Sequence, residues 1–339
     1  MTELEEVFAD DTYQLTGVAV SAEGRIFTNY PLWSGTYKYA VVEVFPDGSV
    51  RPYPDQFMNS WKEGDSGLSK WVCVQAVYVD DHNALWVVDP AAPRMKQVYQ
   101  DSQKLVRIDL SSNTIDRVYS LSGIVGDKSY INDVRVDTEL QVAYLTNSNE
   151  GGIIVLDLDT GTGRQVLQQH YSVKSDPTFV FTIDGHELLK EGEPVQMHSD
   201  GIALSTDNRW LYYKPLTDDK LYRIKTEDLR NADLSEDDLQ ARVEDLGRFT
   251  TSDGMIFDRE GNLYLGDLQN SSIVRIGPDH QMTTIIKDER LIWPDSYSLS
   301  QNGASLYIST SQIQKQPDYN AGINRRTSPY KIFRMRIPA

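Results

Sequence analysis

Cysteine is nearly absent from this chain: of 339 residues, only Cys73 carries a thiol. No intrachain disulfide can form, and a metal or redox centre built on several thiolates is excluded. Histidine is scarce as well, with 5 residues. No apolar run reaches the roughly 18 residues that a membrane-spanning helix needs. Lysine and arginine total 33 against 50 aspartates and glutamates, a net charge of −17. Such a surface repels phosphate backbones and anionic lipid heads, so neither nucleic acid nor a membrane is the expected partner. The opening Met1-Thr-Glu-Leu-Glu-Glu-Val7 has no basic segment and no apolar stretch of a secretory signal, so the expected location is the cytoplasm. Also missing are G-x-S-x-G, H-E-x-x-H, G-x-x-x-x-G-K and G-x-G-x-x-G, and with them serine-triad, zincin and nucleotide-dependent mechanisms.

What is present is a repeated phrase. His198-Ser-Asp-Gly-Ile-Ala-Leu-Ser-Thr-Asp-Asn-Arg-Trp-Leu-Tyr-Tyr-Lys-Pro215 reads as Asp-Gly, alternating apolar residues, a polar turn and a second apolar run. Thr251-Ser-Asp-Gly-Met-Ile-Phe-Asp-Arg-Glu-Gly-Asn-Leu-Tyr-Leu-Gly-Asp267 nearly repeats it. Alternation on both sides of a turn marks two half-buried antiparallel strands. Weaker copies bring the first strands to Gly17, Ala76, Val134, Gly201, Gly254 and Ser296. Each copy is followed by a third strand, such as Lys104–Asp109 or Ser272–Ile276, and where the chain permits by a more polar fourth. The expected fold is therefore all-β, a six-bladed β-propeller with four antiparallel strands per blade, formed by residues 1–339 as a single domain. Residues 1–14 lead in and part of them completes the last blade. A helical insertion is expected at about 226–246, with Ser235 as its cap, and a small hairpin at Thr178–Leu188.

The residue before each first strand is Thr16, Gln75, Asp133, Asp200, Asp253 and Asp295. First strands line a propeller's channel, so this column should ring one mouth. Four carboxylates in one ring cannot all stay ionised without a counter-charge. Oxygen ligands with few imidazoles suit a hard divalent cation such as Ca²⁺ among these carboxylates, and Asn132, beside Asp133, could add a neutral carbonyl oxygen. Asp253 and His198 are the candidate catalytic groups, and Asp133, Asp295, Gln75 and Trp293 the candidate ligand-binding ones. The competing structural reading is that Asp and Asn at loop-to-strand junctions only bond nearby backbone N–H groups. Trp33 and Trp61 join Trp293 as loop aromatics able to wall a pocket for a small molecule.

The runs Leu15–Thr28, Arg51-Pro-Tyr-Pro-Asp55, Ala84-Leu-Trp-Val-Val-Asp89, His198–Leu204 and Leu211–Leu216 resemble the Yellow / major royal jelly protein family over nearly the whole chain. The resemblance implies a six-bladed propeller whose tunnel binds small amines or aromatic molecules. The lack of the secreted members' cysteines fits an intracellular, prokaryote-like relative. A more distant resemblance is to the regucalcin-like gluconolactonases, which together with the acidic ring implies a divalent cation held by Asn132, Asp200 and Asp253, with Asp253 also the base. Asp200 stands where those enzymes usually have Asn, and their first-repeat Glu is missing from Gln14-Leu-Thr-Gly17. Two functions are thus expected: a metal-assisted hydrolase of lactone or ester type at the channel mouth, or a non-catalytic protein binding an amine or aromatic ligand.

Overall fold

The computed structural model describes residues 3–33 and 37–338. Six four-stranded antiparallel sheets follow one another along the chain. Blade 1 comprises Val18–Val20, Ile26–Asn29, Val41–Val44 and Val50–Pro52. Blade 2 comprises Ala76–Val79, Ala84–Asp89, Lys104–Asp109 and Thr114–Ser120. Blade 3 is Ile131–Asp137, Val142–Asn147, Ile153–Asp157 and Gly163–Val166. Blade 4 is Ser199–Leu204, Trp210–Pro215, Lys220–Lys225 and Glu244–Arg248. Blade 5 is Met255–Phe257, Leu263–Asp267, Ser272–Ile276 and Met282–Lys287. Blade 6 takes Pro294–Leu299, Ser305–Thr310 and Tyr330–Arg336 from the end of the chain, and Leu4–Asp10 from its start.

Burial follows each strand's place in its blade. The second and third strands are covered on both faces by the neighbouring blades and read as near-continuous apolar runs; Ala84–Asp89 is buried throughout. The outer strands face water and alternate or turn polar, as Thr114–Ser120 does with only Tyr119 buried. The core clusters run between successive blades: one joins Trp86 and Leu105 of blade 2 to Val134 and Leu145 of blade 3. The innermost strands touch around the axis and leave a channel.

The decorations lie outside this ring. The expected helical insertion is two short helices, Thr226–Arg230 and Glu236–Gln240, and Ser235 caps the second by accepting from the Asp238 amide. Residues 169–197 form two small hairpins, Thr182–Ile183 with His186–Glu187 and Leu189–Lys190 with Glu193–Pro194. Gly35 of the aromatic loop in blade 1 falls outside the described residues. Among the described residues no helix is long and apolar enough to cross a membrane.

Candidate functional site

The innermost strands are irregular at one position. In blades 3, 4 and 6 the pairing slips between Ile131 and Val134, Ser199 and Ile202, and Pro294 and Tyr297. Each slip is a bulge that re-aims a side chain toward the axis. Beyond the bulges the registers match: Val134 opposes Leu145, Ile202 opposes Tyr213 and Tyr297 opposes Ile308. Counting back, Asn132 stands where Asp200 and Asp295 stand. The expected column was therefore one residue out in blade 3. Asn132 belongs to it; Asp133 occupies the next position, pairs with Arg135 at 3.0 Å and does not line the upper cavity.

Glycine follows Asp in blades 4 and 5 because the adjacent backbone leaves no room for a Cβ. At Gly254 it would lie 2.6 Å from the Asp295 carbonyl oxygen, and at Gly201 it would collide with the Asp253 carbonyl. Both residues lead into strand rather than turn, so turn chemistry does not explain them. Hydroxyls on the second strands tie the ring together: Thr146 Oγ1 donates to the Asp200 carbonyl at 2.8 Å, and Ser309 Oγ to that of Thr16.

Above this floor lies a cavity of about 390 Å³. Gln75, Asn132, Asp200 and Asp253 form its polar end, and Trp33, Met95, Val195, Leu216, Ile313 and Tyr319 contribute apolar surface. Beneath the floor Arg135 closes the channel. Its guanidinium donates to the Met255 carbonyl at 2.7 Å and lies 4.9 Å from the Tyr78 ring centroid.

The floor carboxyls are buried. Asn132 Nδ2 donates to Asp200 Oδ2 at 2.8 Å, and Trp293 Nε1 donates to Asp253 Oδ2 at 2.7 Å. Burial first, and then the charge of Asp253, push the Asp200 carboxyl well above the usual carboxylate range. Burial also pushes Asp253 up, to about 6, against the lowering effect of hydrogen bonds from Trp293 and Asp200. Asp200 Oδ1 is buried and has no donor. A proton on Asp200 resolves this, because the carboxyl then donates to Asp253. Burial thus favours the neutral form of both carboxyls, more strongly at Asp200. Asp295 is likewise pushed up by burial and the Asp253 charge, but it does not line the cavity.

Lys214 and Tyr130 carried no signal in the sequence, while Trp293 takes a role other than the expected one. Lys214 is fully buried and donates to the carbonyls of Pro215 and Asp218 at 2.6 and 2.9 Å. Burial lowers it to about 8, while the carboxylates around it, Asp218 foremost and Asp200 and Asp253 among them, act the other way. Trp293 proves to be a buried donor to Asp253 rather than a cavity wall, and its φ of 57° is a left-handed conformation costing an L residue about 1–3 kcal/mol. Gln75 Oε1 accepts from the Tyr130 hydroxyl at 2.8 Å, which accepts from Trp33 Nε1 at 2.6 Å.

Two residues fall outside the cavity lining. His198 does not reach it: its Nδ1 accepts from the Ser175 amide at 3.0 Å, and burial lowers it to about 4, so it is a neutral structural acceptor. Trp61 packs edge-on against Tyr99 instead. The proposed cation ligands form a hydrogen-bonded acid pair rather than a cage. Asn132 turns an N–H, not its oxygen, toward Asp200, and the Trp293 N–H occupies Asp253 Oδ2. Among the described residues no three His, Cys, Asp or Glu side chains converge as metal ligands would.

Solved propellers share the overall fold. A gluconolactonase from Xanthomonas campestris superposes with a TM-score of 0.59 at 13% identity, over 99% of this chain and 90% of that one. A virginiamycin B lyase from Staphylococcus aureus gives 0.54 at 14% identity over 100% of both chains. In sequence, major royal jelly protein 3 of Apis mellifera is 26% identical over 244 residues, covering 69% of this chain and 42% of the relative. Major royal jelly protein 1 of the same species is 24% identical over 66% of this chain and 52% of its own. The chain thus spans about half the length of the curated relatives it matches. The model of the major royal jelly protein family matches residues 72–335, and the chain belongs to that family.

Proposed function

We propose that the chain is a small-molecule hydrolase of lactone or ester type that works by proton transfer between Asp200 and Asp253. The observation that carries this reading is the buried pair itself, two adjoining carboxyls that burial pushes up unequally, at the polar end of a cavity walled by apolar side chains. Two carboxyls whose surroundings push their titrations apart have the division of labour that general acid–base catalysis requires. Asp253 takes a proton from the water that attacks the carbonyl carbon. Asp200 gives its proton to the departing ring or ester oxygen. The proton on Asp253 then crosses the hydrogen bond to Asp200 and the starting state returns. The likeness to a gluconolactonase supports the fold's suitability and no more.

The test is a screen of lactones and simple esters with the wild type and Asp253→Asn. Turnover that falls about 10²–10⁴-fold in the variant is the expected result. Turnover that survives the substitution overturns the assignment. A calorimetric Ca²⁺ titration of chelator-stripped protein is run alongside. One-site binding lost in Asp200→Ala, Asp253→Ala would replace the acid pair with a metal centre.

A second reading, non-catalytic binding of an amine or aromatic ligand, is favoured by the apolar walls over an acidic floor. An ammonium pairs with ionised Asp253, so amine affinity should rise with pH through about 6. Saturable amine binding with that pH dependence and no lactone turnover would establish it over the first.

A further inference from the structure

Gln75 is held from both ends. Its backbone carbonyl accepts from Thr16 Oγ1 at 2.9 Å and from Asn29 Nδ2 at 3.0 Å, which fixes the Cα at the ring. Its side-chain oxygen is fixed by the relay behind it. The indole Nε1 of Trp33 can only donate, so the Tyr130 oxygen must accept from it, and the Tyr130 proton goes elsewhere. The acceptors within reach are Gln75 Oε1 at 2.8 Å and the buried thiol of Cys73, and sulfur is the weaker of the two. Were the Gln75 amide turned over, Tyr130 would face two donors. With Oε1 committed, Nε2 is left as a donor without an acceptor among the described residues, on a side chain that lines the cavity together with Asp200 and Asp253.

We propose that Gln75 Nε2 is the donor that holds the carbonyl oxygen of the ligand beside the acid pair. Tyr130 and Trp33 are positioning residues that keep the amide facing the cavity. The inference rests on the hydrolase reading for its chemistry: as water adds to the carbonyl carbon, the carbonyl oxygen gains negative charge, and a pre-oriented N–H stabilises it. It also narrows the ligand class. The polar end offers an amide donor beside the acid pair, which suits a carbonyl acceptor flanked by apolar surface.

The probe is δ-valerolactam, a carbonyl compound that hydrolyses far more slowly than a lactone, followed by NMR through the Gln75 side-chain amide signals and by calorimetry. The lactam should bind the wild type and shift those signals. Affinity should fall about tenfold in Gln75→Leu and severalfold in Tyr130→Phe and Trp33→Phe, where the amide is free to turn. Gln75→Glu supplies the readout that structural damage would not mimic. Its protonated carboxyl restores a donor, so binding returns toward wild type at low pH and is lost at pH 8. Absence of lactam binding, equal binding by Gln75→Leu, or a Gln75→Glu variant without this pH rescue would overturn the proposal. Turnover of δ-valerolactone separates the two readings. Lactam binding through Gln75 without lactone turnover retires the hydrolase and leaves the carbonyl site standing. Turnover that Asp253→Asn abolishes and Gln75→Leu leaves intact retires the carbonyl donor alone. On an active enzyme Gln75→Leu should lower kcat about 10²-fold and raise KM about tenfold, the second in step with the loss of lactam affinity.

Discussion

A buried carboxylate is costly in its charged form, and at Asp253 that cost has a sign that can be followed with pH. Its folded-state value is pushed up to about 6, against about 3.9 in an unfolded chain. Between those values the folded state binds more protons than the unfolded one, so stability falls as pH rises through the window. The loss is about 3 kcal/mol once both states are ionised. Asparagine keeps an oxygen for the Trp293 N–H and never charges. Asp253→Asn should therefore equal the wild type at pH 4 and exceed it by about 1–3 kcal/mol at pH 8. Urea midpoints at the two pH values check this, and a variant weaker at pH 8 would mean that Lys214 more than compensates the charge. The same ionisation sets the rate. Turnover should climb as pH rises through about 6, where Asp253 becomes a base, and this limb should vanish in Asp253→Asn.

At the scale of the strand, the decisive feature is a slip of one residue. Gly254 leads its innermost strand past Asp295 with no space for a methyl group. Gly254→Ala must push the two blades apart or distort the bulge that aims Asp295, at about 1–3 kcal/mol. A lowered urea midpoint would show this, while an unchanged one would mean the blades yield without cost. The strands were plain in the sequence, since apolar runs bounded by polar turns leave a direct trace in residue type. The bulges were not, because they are set by pairing with the second strand. That is why Asp133 stood in the expected ring and Asn132 beside it, when the structure has the reverse. Gln75, Asp200 and Asp253 were nonetheless legible as members of one mouth from their repeat positions alone. Trp33 was legible as a loop aromatic able to wall a pocket, and it lines the cavity; Tyr130 and Lys214 were not, since neither has a counterpart of its own chemistry in the other blades. His198 misled for a local reason: it precedes Asp200 by two residues, yet its ring turns to the Ser175 amide.

At the scale of the molecule, a ring of blades has one seam, and here it is closed by the two ends of the chain. Leu4–Asp10 is the outer strand of blade 6 and pairs with Tyr330–Arg336, with a register slip between Glu6 and Phe8. Ion pairs Arg334–Glu5 at 2.6 Å and Lys331–Glu6 at 2.7 Å lie along the joint, but both are partly exposed and each contributes under about 1 kcal/mol. The apolar term is larger. Leu4 packs with the cluster shared by blades 5 and 6, and Phe8 with the one shared by blades 6 and 1. Burying each stabilises by about 1.5–3 kcal/mol. Deleting residues 1–10 removes both, strips the ladder from Tyr330–Arg336 and leaves an unpaired edge open to a second chain. The truncated protein should lose about 3–6 kcal/mol by urea unfolding and show concentration-dependent association in sedimentation. The damage should reach the site, because Thr16 and Ser309 join blades 1 and 6 at the same mouth that holds Asp200 and Asp253. A truncation that keeps the wild-type midpoint would mean that the ring holds through its innermost strands and that the closing strand only shields an edge.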